Sequence, residues 1–402
     1  MKDGARLEPV HPGPGARVRG TLWMALFCGA VAAGPALAQA GPYAEAGLTV
    51  TGVQDGNLFS TALPQSDFIT RYTPGVKTGF RGARHSLVAQ YGRDLETFAE
   101  HPGLDTARAR QNATLDLQSR AERGLALGLH GAWVTTLTPG DFNITTGVAS
   151  ERRPARRLVL SPSVAYRFDA RTTGTLTGAR TLDRLSGGVQ TDVRTIDLRL
   201  ERRASARSAW SVGCLFSRFE FEAAGGPDLT TARSLTLGWE RALGRRTALS
   251  LRGGPRVSEG SVDPEIAVAL EHRMKRGSLS LAYDRSLTTV LGRSGAVVAE
   301  SLSPAASLRL WRDLRVSLAP AIFRVRGLDG TEETRVRVLA LELSARLTDW
   351  LSLGTAWYDS RQETPDGAPG TDIERHTLVV ALSAWPGTGS VAGAPAGARV
   401  LR

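Results

Sequence analysis

Charged side chains recur at alternate positions along many segments of the chain, and they are the residue types best suited to binding chemistry. A guanidinium group binds carboxylates and phosphates through paired hydrogen bonds. The twelve charged residues predicted to share one face are Arg167, Arg199, Arg252, Arg256, Arg273, Arg309, Asp116, Asp197, Glu201, Glu240, Glu271 and Asp284. If this face lined a pore, its arginines would favour anions, including acidic sugars. Alternatively, arginines and carboxylates pair across strands and only stabilise the interior.

The sequence offers no recognisable catalytic or metal-binding motif. The six histidines are His11, His85, His101, His130, His272 and His376, and none has metal-ligand spacing. A nucleophile elbow and a phosphate-binding loop are absent, and Asp55-Gly56-Asn57 lacks the remaining ligands of a calcium loop. The two cysteines, Cys28 and Cys214, cannot form a disulfide framework. We therefore predict no catalytic site, no metal and no cofactor, and a protein that is not an enzyme.

The charge balance is basic but dispersed. Lysine and arginine total 50 against 39 acidic residues, a net charge of +11, and the mean hydropathy is −0.15. The basic residues are spread along the whole chain, singly or in pairs, which argues against a nucleic-acid partner. The polar average excludes a bundle of apolar helices but fits a membrane barrel, because only every second residue of such a barrel faces lipid.

Both ends of the chain differ from its middle. Residues 1–38 have the pattern of a secretory signal peptide, with Arg17 and Arg19 before the apolar stretch 22–33 and a cleavage motif at Ala36-Leu37-Ala38. The tail 386–402 is rich in glycine, alanine and proline, so disorder is predicted there. Residues 39–385 remain as the folded part.

Apolar residues alternate with small or charged ones from end to end of the folded part. Leu125, Leu127 and Leu129 have this period of two, as do Leu279 and Leu281. The pattern predicts half-buried β-strands. A soluble periplasmic β-protein would alternate in the same way.

Two further features favour a transmembrane barrel. Apolar faces often end in an aromatic residue, as interfacial girdles do. These aromatics are Tyr91, Trp133, Tyr166, Phe168, Trp210, Trp239, Tyr283, Trp311, Trp357 and Trp385. Tight turns also alternate with longer loops, which are predicted near residues 53–67, 94–107, 138–155, 223–230, 288–297 and 361–372.

We therefore predict an all-β fold, a transmembrane antiparallel up-and-down β-barrel of about 18 strands, with 16 as the alternative. The strands would run from near Tyr43 to near Trp385. The predicted location is the outer membrane of a Gram-negative-type cell. The expected partners are outer-membrane lipid and the barrel-insertion machinery, which could recognise Trp385.

Some segments break the alternation. Val336 and Val338 are out of phase with Leu341, and Phe219 and Phe221 are out of phase with the preceding apolar residues. Such slips indicate bulges, or strand ends that rise beyond the lipid. Prolines inside strands should lie at bulges or outside hydrogen-bonded pairs. They are Pro74, Pro162, Pro255, Pro304 and Pro320.

A family resemblance lies in the N-terminal part of the folded region. The segment containing Asp55, Asn57 and Phe59, and the strand containing Pro74-Gly75, resemble elements of the β-barrel porin 2 family of exopolysaccharide-associated outer-membrane proteins. The resemblance implies an outer-membrane pore, with a role in export or assembly of surface polysaccharide.

Four functions remain open at this point. The first is a porin-like channel, as an export conduit or accessory for anionic polysaccharide or as a path for small anions. The second is a structural or adhesive barrel with a plugged lumen, which would have inward-folded loops or paired charges. An outer-membrane hydrolase and a soluble periplasmic protein are the others, and the sequence offers no catalytic cluster for the hydrolase.

Overall fold

The computed structural model describes residues 41–121, 124–223, 226–328, 330, 333–364 and 372–385. The predicted signal peptide and tail lie outside these ranges. Eighteen antiparallel strands pair in chain order, and β1 also pairs with β18. The sheet is therefore closed, which confirms the predicted all-β barrel and its strand count.

Each strand has 12 to 17 residues. Transmembrane strands need about 9–11 residues, so these strands rise beyond the lipid. The strands are Gly41–Asp55 (β1), Asp67–Arg81 (β2), His85–Phe98 (β3), Thr106–Arg120 (β4), Leu125–Thr136 (β5), Ala155–Arg167 (β6), Thr172–Leu185 (β7), Gln190–Ser205 (β8), Ser208–Ala223 (β9), Gly226–Ala242 (β10), Thr247–Ser258 (β11), Ser261–Arg273 (β12), Gly277–Thr288 (β13), Val297–Arg309 (β14), Leu314–Gly327 (β15), Glu333–Arg346 (β16), Leu351–Glu363 (β17) and Ile373–Ala384 (β18).

The connections at the two ends of the barrel differ in length. One end carries only tight turns, such as 82–84 and 206–207, and the other carries the longest loop, 137–154. This asymmetry is typical of outer-membrane barrels, whose short turns face the periplasm. The predicted long loop at 223–230 is wrong. There β9 ends at Ala223 and β10 begins at Gly226, because the polar residues of that stretch belong to strands that extend above the lipid.

An apolar band covers the outward face of the barrel. Leu237 and Ile196 are 64% and 54% exposed, as expected for side chains that face lipid. Nine of the ten predicted girdle aromatics lie on this face, for example Trp210 opposite Trp239, with ring centroids 6.0 Å apart. Trp385 is the exception. Its indole ring lies against Gly47 and would collide with any side chain there, and Gly47 belongs to the inward face.

The prolines lie beside local interruptions of the ladder, as predicted, and by register all five also lie on the outward face. Pro304 and Pro320 face each other across β14 and β15, in a stretch where the regular pairing is broken. The ladder is also interrupted beside the other three, Pro74, Pro162 and Pro255. A proline has no N–H to donate, so the neighbouring strand loses few hydrogen bonds where the ladder is already interrupted.

The phase slips do not arise from bulges. Val336 is 1% exposed and Phe221 is 0% exposed, and both point inward from strands that pair without a register shift there. In both segments the strand ends rise beyond the lipid, which was the other predicted explanation. Near the loop end, apolar side chains fill the interior instead of facing lipid. The register shifts on neighbouring strands lie elsewhere, between Asp94 and Glu96 and between Arg203 and Ser205.

Among the described residues, no helix is long and apolar enough to cross a membrane. A closed barrel pairs every strand and so leaves no sheet edge unsatisfied in hydrocarbon. Closure, the outward apolar band and the aromatic girdles place the protein in the outer membrane of a Gram-negative cell.

Candidate functional site in the lumen

The loop 137–154, between β5 and β6, crosses the lumen and reaches the opposite wall. The amide side chain of Asn143 accepts a hydrogen bond from the N–H of Leu291 at 2.8 Å. The N–H of Ala149 donates to the side-chain oxygen of Gln362 on β17 at 2.8 Å. In the ring of 18 strands, β14 and β15 lie opposite β5 and β6. The loop therefore spans the barrel near its long-loop end.

Internal hydrogen bonds and one glycine shape this crossing loop. The buried Asn143 donates to the carbonyl of Val148 and the hydroxyl of Ser150, each at 3.0 Å. Gly147 has φ of +66° and packs close to the ring of Phe323 on β15. A side chain at Gly147 would be both strained and obstructed. The bend at Gly147 thus brings the loop against the far wall.

An apolar cluster anchors the tip of the crossing loop. Val148 packs with Val290 and Phe323 in a buried group. The group also contains Val297, Val325 and Val336. Burying a valine side chain stabilises a structure by about 1.5–3 kcal/mol relative to exposure. The tip is therefore held by packing as well as by hydrogen bonds.

A second loop, 289–296 between β13 and β14, also folds inward. Leu291 is 5% exposed and packs with Phe142 of the crossing loop and Ala155 of β6. Partly buried Leu185, at the end of β7, packs against the same group. The two loops therefore support each other inside the barrel.

Arginines line the level of the crossing loop, each held by a carboxylate. The guanidinium of Arg375 lies 2.6 Å from the carboxylate of Asp55, and that of Arg71 lies 2.6 Å from Glu96. Glu96 also binds Arg152 of the crossing loop at 3.0 Å. We call the set Arg71, Arg110, Arg152, Arg157 and Arg375 the lumen arginines.

The two partners of these ion pairs differ in exposure. The side chain of Arg375 is 30% exposed and that of Asp55 only 2%, and Arg71 and Glu96 are 22% and 4% exposed. Arg157 and Asp183 repeat the pattern. In these three pairs the carboxylate lies behind the guanidinium group, so the accessible surface there is positive. The other two lumen arginines differ: Arg110 is 21% exposed beside Asp141 at 31%, and Arg152 is only 7% exposed.

A small cavity of about 30 Å³ lies where the crossing loop meets the wall. Ser60, Asp141, Ser150, Arg152 and Arg375 contribute to its lining. Water occupies about 30 Å³ per molecule in the liquid. The cavity thus offers about the space of one water molecule between polar and charged groups.

The twelve charged residues predicted from the sequence lie on the inward face by strand register, but they do not form one site. Eleven of them lie below the crossing loop, and some pair locally, such as Arg273 with Glu271 at 2.8 Å and Asp116 with His130 at 2.7 Å. Arg256 differs, since it is 1% exposed and lies 3.4 Å from Asp263. Within the described ranges, no three potential ligands come together as a metal site.

The residues that carried the family resemblance have structural contacts. Asp55 accepts a hydrogen bond from the N–H of Asn57 at 3.1 Å in addition to binding Arg375. Asn57, fully buried, donates to the carbonyl of Glu374 at 2.9 Å. Phe59 contacts the ring of His101 edge-on at 5.7 Å. Pro74 faces outward, and Gly75 lies under the ring of Trp385. The motif ties the first loop to β18.

Alternation alone did not identify the lumen arginines. The alternation along a strand assigns each side chain to the inward or the outward face. It does not show at which height along the barrel axis a loop will cross the lumen. One signal was present: the inward phase of Phe219, Phe221, Val336 and Val338 marks the level at which the interior is filled. Charged residues at the same height on other strands are candidates for the site.

Comparisons with known proteins show distant structural similarity and no family. No protein-family model and no curated protein matches the chain. Among solved structures, OccK2 (OpdF) of Pseudomonas aeruginosa has a TM-score of 0.49 at 14% identity, over 85% of this chain and 98% of that chain. The same protein in complex with glucuronate gives 0.48 at 14%, with the same coverage. The siderophore receptor PirA of Pseudomonas aeruginosa gives 0.43 at 8%, over 85% and 80%. Similarity at this level carries no argument about substrate.

Proposed function

We propose that this protein is a narrow outer-membrane channel for small anionic solutes, in particular solutes that carry a carboxylate. The observation that carries the proposal is the arrangement of Arg71, Arg157 and Arg375 among the lumen arginines, whose side chains are more exposed than the carboxylates behind them. Fixed guanidinium groups of this kind lower the energy of an anion in a narrow passage.

The crossing loop supports a selective channel over a wide pore. The cavity beside Arg152 and Arg375 has about the volume of one water molecule. The crossing loop and loop 289–296 both fold into the lumen at this level, so a passing solute must contact them. Slow, selective conduction is the expected behaviour.

Reversal potentials in planar bilayers under a salt gradient test the charge preference. Replacing Arg71 and Arg375 by glutamine should shift the permeability ratio from anions towards cations. Arg252→Gln is the matched control, because Arg252 faces inward on β11 but lies below the crossing loop. An equal shift in the control, or none in the double variant, would refute the proposal.

A plugged structural barrel is the second candidate, favoured by the bonds that fasten the loop to the far wall. The hydroxyls of Thr145 and Thr288 lie 3.4 Å apart. A T145C/T288C cross-link, made in a C214S background to remove the exposed Cys214, would hold the loop in place. Currents that persist after oxidation support a channel with a fixed loop, and the absence of current before and after supports the plug.

Export of surface polysaccharide is the function that the sequence resemblance implies. We expect a polymer to require the crossing loop to leave the lumen, since the loop spans it and is fastened to the far wall. The same cross-link distinguishes this role: oxidation in cells should stop polysaccharide from reaching the surface. Unchanged surface polysaccharide after cross-linking, or after deletion of the gene, would exclude it.

A further inference from the structure

A groove of about 450 Å³ lies at the loop end of β4 to β7, and arginines dominate its charged lining. We call it the arginine groove and define it by Arg108, Arg156 and Arg184, all exposed, with Thr135 beside them. No acidic residue lines it. Thr135, Arg156 and Arg184 lie on the outward face by register, whereas Ala155 and Leu185, which also line the groove, lie on the inward face. The groove therefore opens across the rim of the wall, with the guanidinium groups of Arg156 and Arg184 on its outer side.

Like charges lie directly opposite one another in this groove. Arg156 pairs in register with Arg184 on the next strand and with Thr135 on the strand before. Like charges at opposed positions are destabilising unless something neutralises them. Over the described part of the chain, none of the three arginines has an ion pair with a carboxylate.

Other outward arginines at this height do have carboxylate partners, which makes the groove distinct. Arg326 and Arg335 both bind Glu333, at 3.3 Å and 2.6 Å. Arg194 binds Asp192 at 2.8 Å. The arginine groove therefore has a positive charge that an external anion could neutralise.

The groove borders the apolar band directly. Trp133 lies two residues before Thr135 on the same face of β5, and the guanidinium of Arg156 lies 5.9 Å from the centre of the Trp133 ring. Leu158 pairs with Trp133 one step below Arg156. Aromatic residues of this kind mark the level of lipid headgroups. An anion in the groove would thus stand above acyl chains.

We infer that the arginine groove binds the phosphate group of an outer-leaflet lipid, of the type that lipid A represents. Arginine forms paired hydrogen bonds with phosphate oxygens. Two opposed guanidinium groups can hold one phosphate from both sides, while the acyl chains cover the neighbouring Trp133 and Leu158. The inference depends on the barrel and its membrane, and it does not depend on the proposed channel activity.

Native mass spectrometry of the refolded barrel in detergent tests this site. The probes are bisphosphorylated lipid A, dephosphorylated lipid A and inorganic phosphate. Wild type should retain bisphosphorylated lipid A, whereas R156Q/R184Q should bind it about tenfold more weakly or worse, since charge-assisted hydrogen bonds are lost. R326Q/R335Q is the matched control and should bind like wild type.

Several results would overturn the inference. They are equal lipid A binding by R156Q/R184Q and the control, equal retention of dephosphorylated lipid A by wild type, and inorganic phosphate that binds as tightly as the lipid, which would indicate a site for free anions. Heat-modifiable mobility on a gel checks that each variant is folded. If the double variant does not fold, R184Q alone should show a smaller loss in the same direction.

Discussion

Asp55 shows how much one buried carboxylate does in this barrel. It binds the guanidinium of Arg375 with both oxygens and accepts the N–H of Asn57. The sequence marked Asp55 and Asn57 through a family resemblance, but it could not reveal Arg375 as the partner, 320 residues away. Only barrel closure brings β1 beside β18 and joins these side chains.

Replacement of Asp55 by alanine should lower the free energy of unfolding by about 2–4 kcal/mol, because it leaves the partly buried guanidinium of Arg375 without its partner. Denaturant unfolding in detergent micelles measures the loss. Asp116→Asn is the control, since Asp116 and His130 are both about half exposed and such pairs contribute about 0–1 kcal/mol. Equal losses in the two variants would contradict the assignment.

Gly147 is the residue at which the crossing loop bends against the far wall. Valine at this position must adopt a positive φ, which costs about 1–3 kcal/mol, and its side chain would meet the ring of Phe323. Gly147→Val should therefore release the tip of the crossing loop and raise single-channel conductance. Gly187→Val shares the positive φ but has open space around it, so it is the control. Conductance unchanged in both would argue against loop anchoring by this bend.

The strands were the elements easiest to predict. Period-two alternation located them because the outward face must be apolar at every strand, whatever the interior holds. The crossing loop was harder. Its sequence is an ordinary polar loop with Pro139 and Gly140, and its inward course depends on contacts with Phe323 and Leu291, which are distant in sequence.

Near the loop end of β9, apolar side chains point into the barrel, and their contribution to stability can be predicted. Phe221 is fully buried in a cluster with Phe219, Ala232 and Ala296. Phe221→Ala should cost about 3–5 kcal/mol, as for other buried phenylalanines. Phe216→Ala, on the lipid face of the same strand and 39% exposed, should cost less because it opens no internal cavity. A larger loss for Phe216 in denaturant unfolding would show that the inward assignment is wrong.

At the scale of the whole molecule, the barrel combines a lipid-facing band with a lumen narrowed near one end. The part below the crossing loop carries eleven of the twelve charged residues that the sequence alternation assigned to the interior. The narrow part carries the lumen arginines, which depend on the fold of two loops. General barrel architecture was therefore predictable from the sequence, and the proposed selectivity site was not, because it combines residues from distant strands at a level set by a loop.

Planar-bilayer recording of wild type and of a variant in which a short Gly-Ser linker replaces residues 140–150 tests the central claim most directly. We expect wild type to conduct weakly with a preference for anions, and the variant to conduct several-fold more with that preference reduced. Identical conductance and selectivity in the two proteins would contradict the account, because the crossing loop would then not control the pathway.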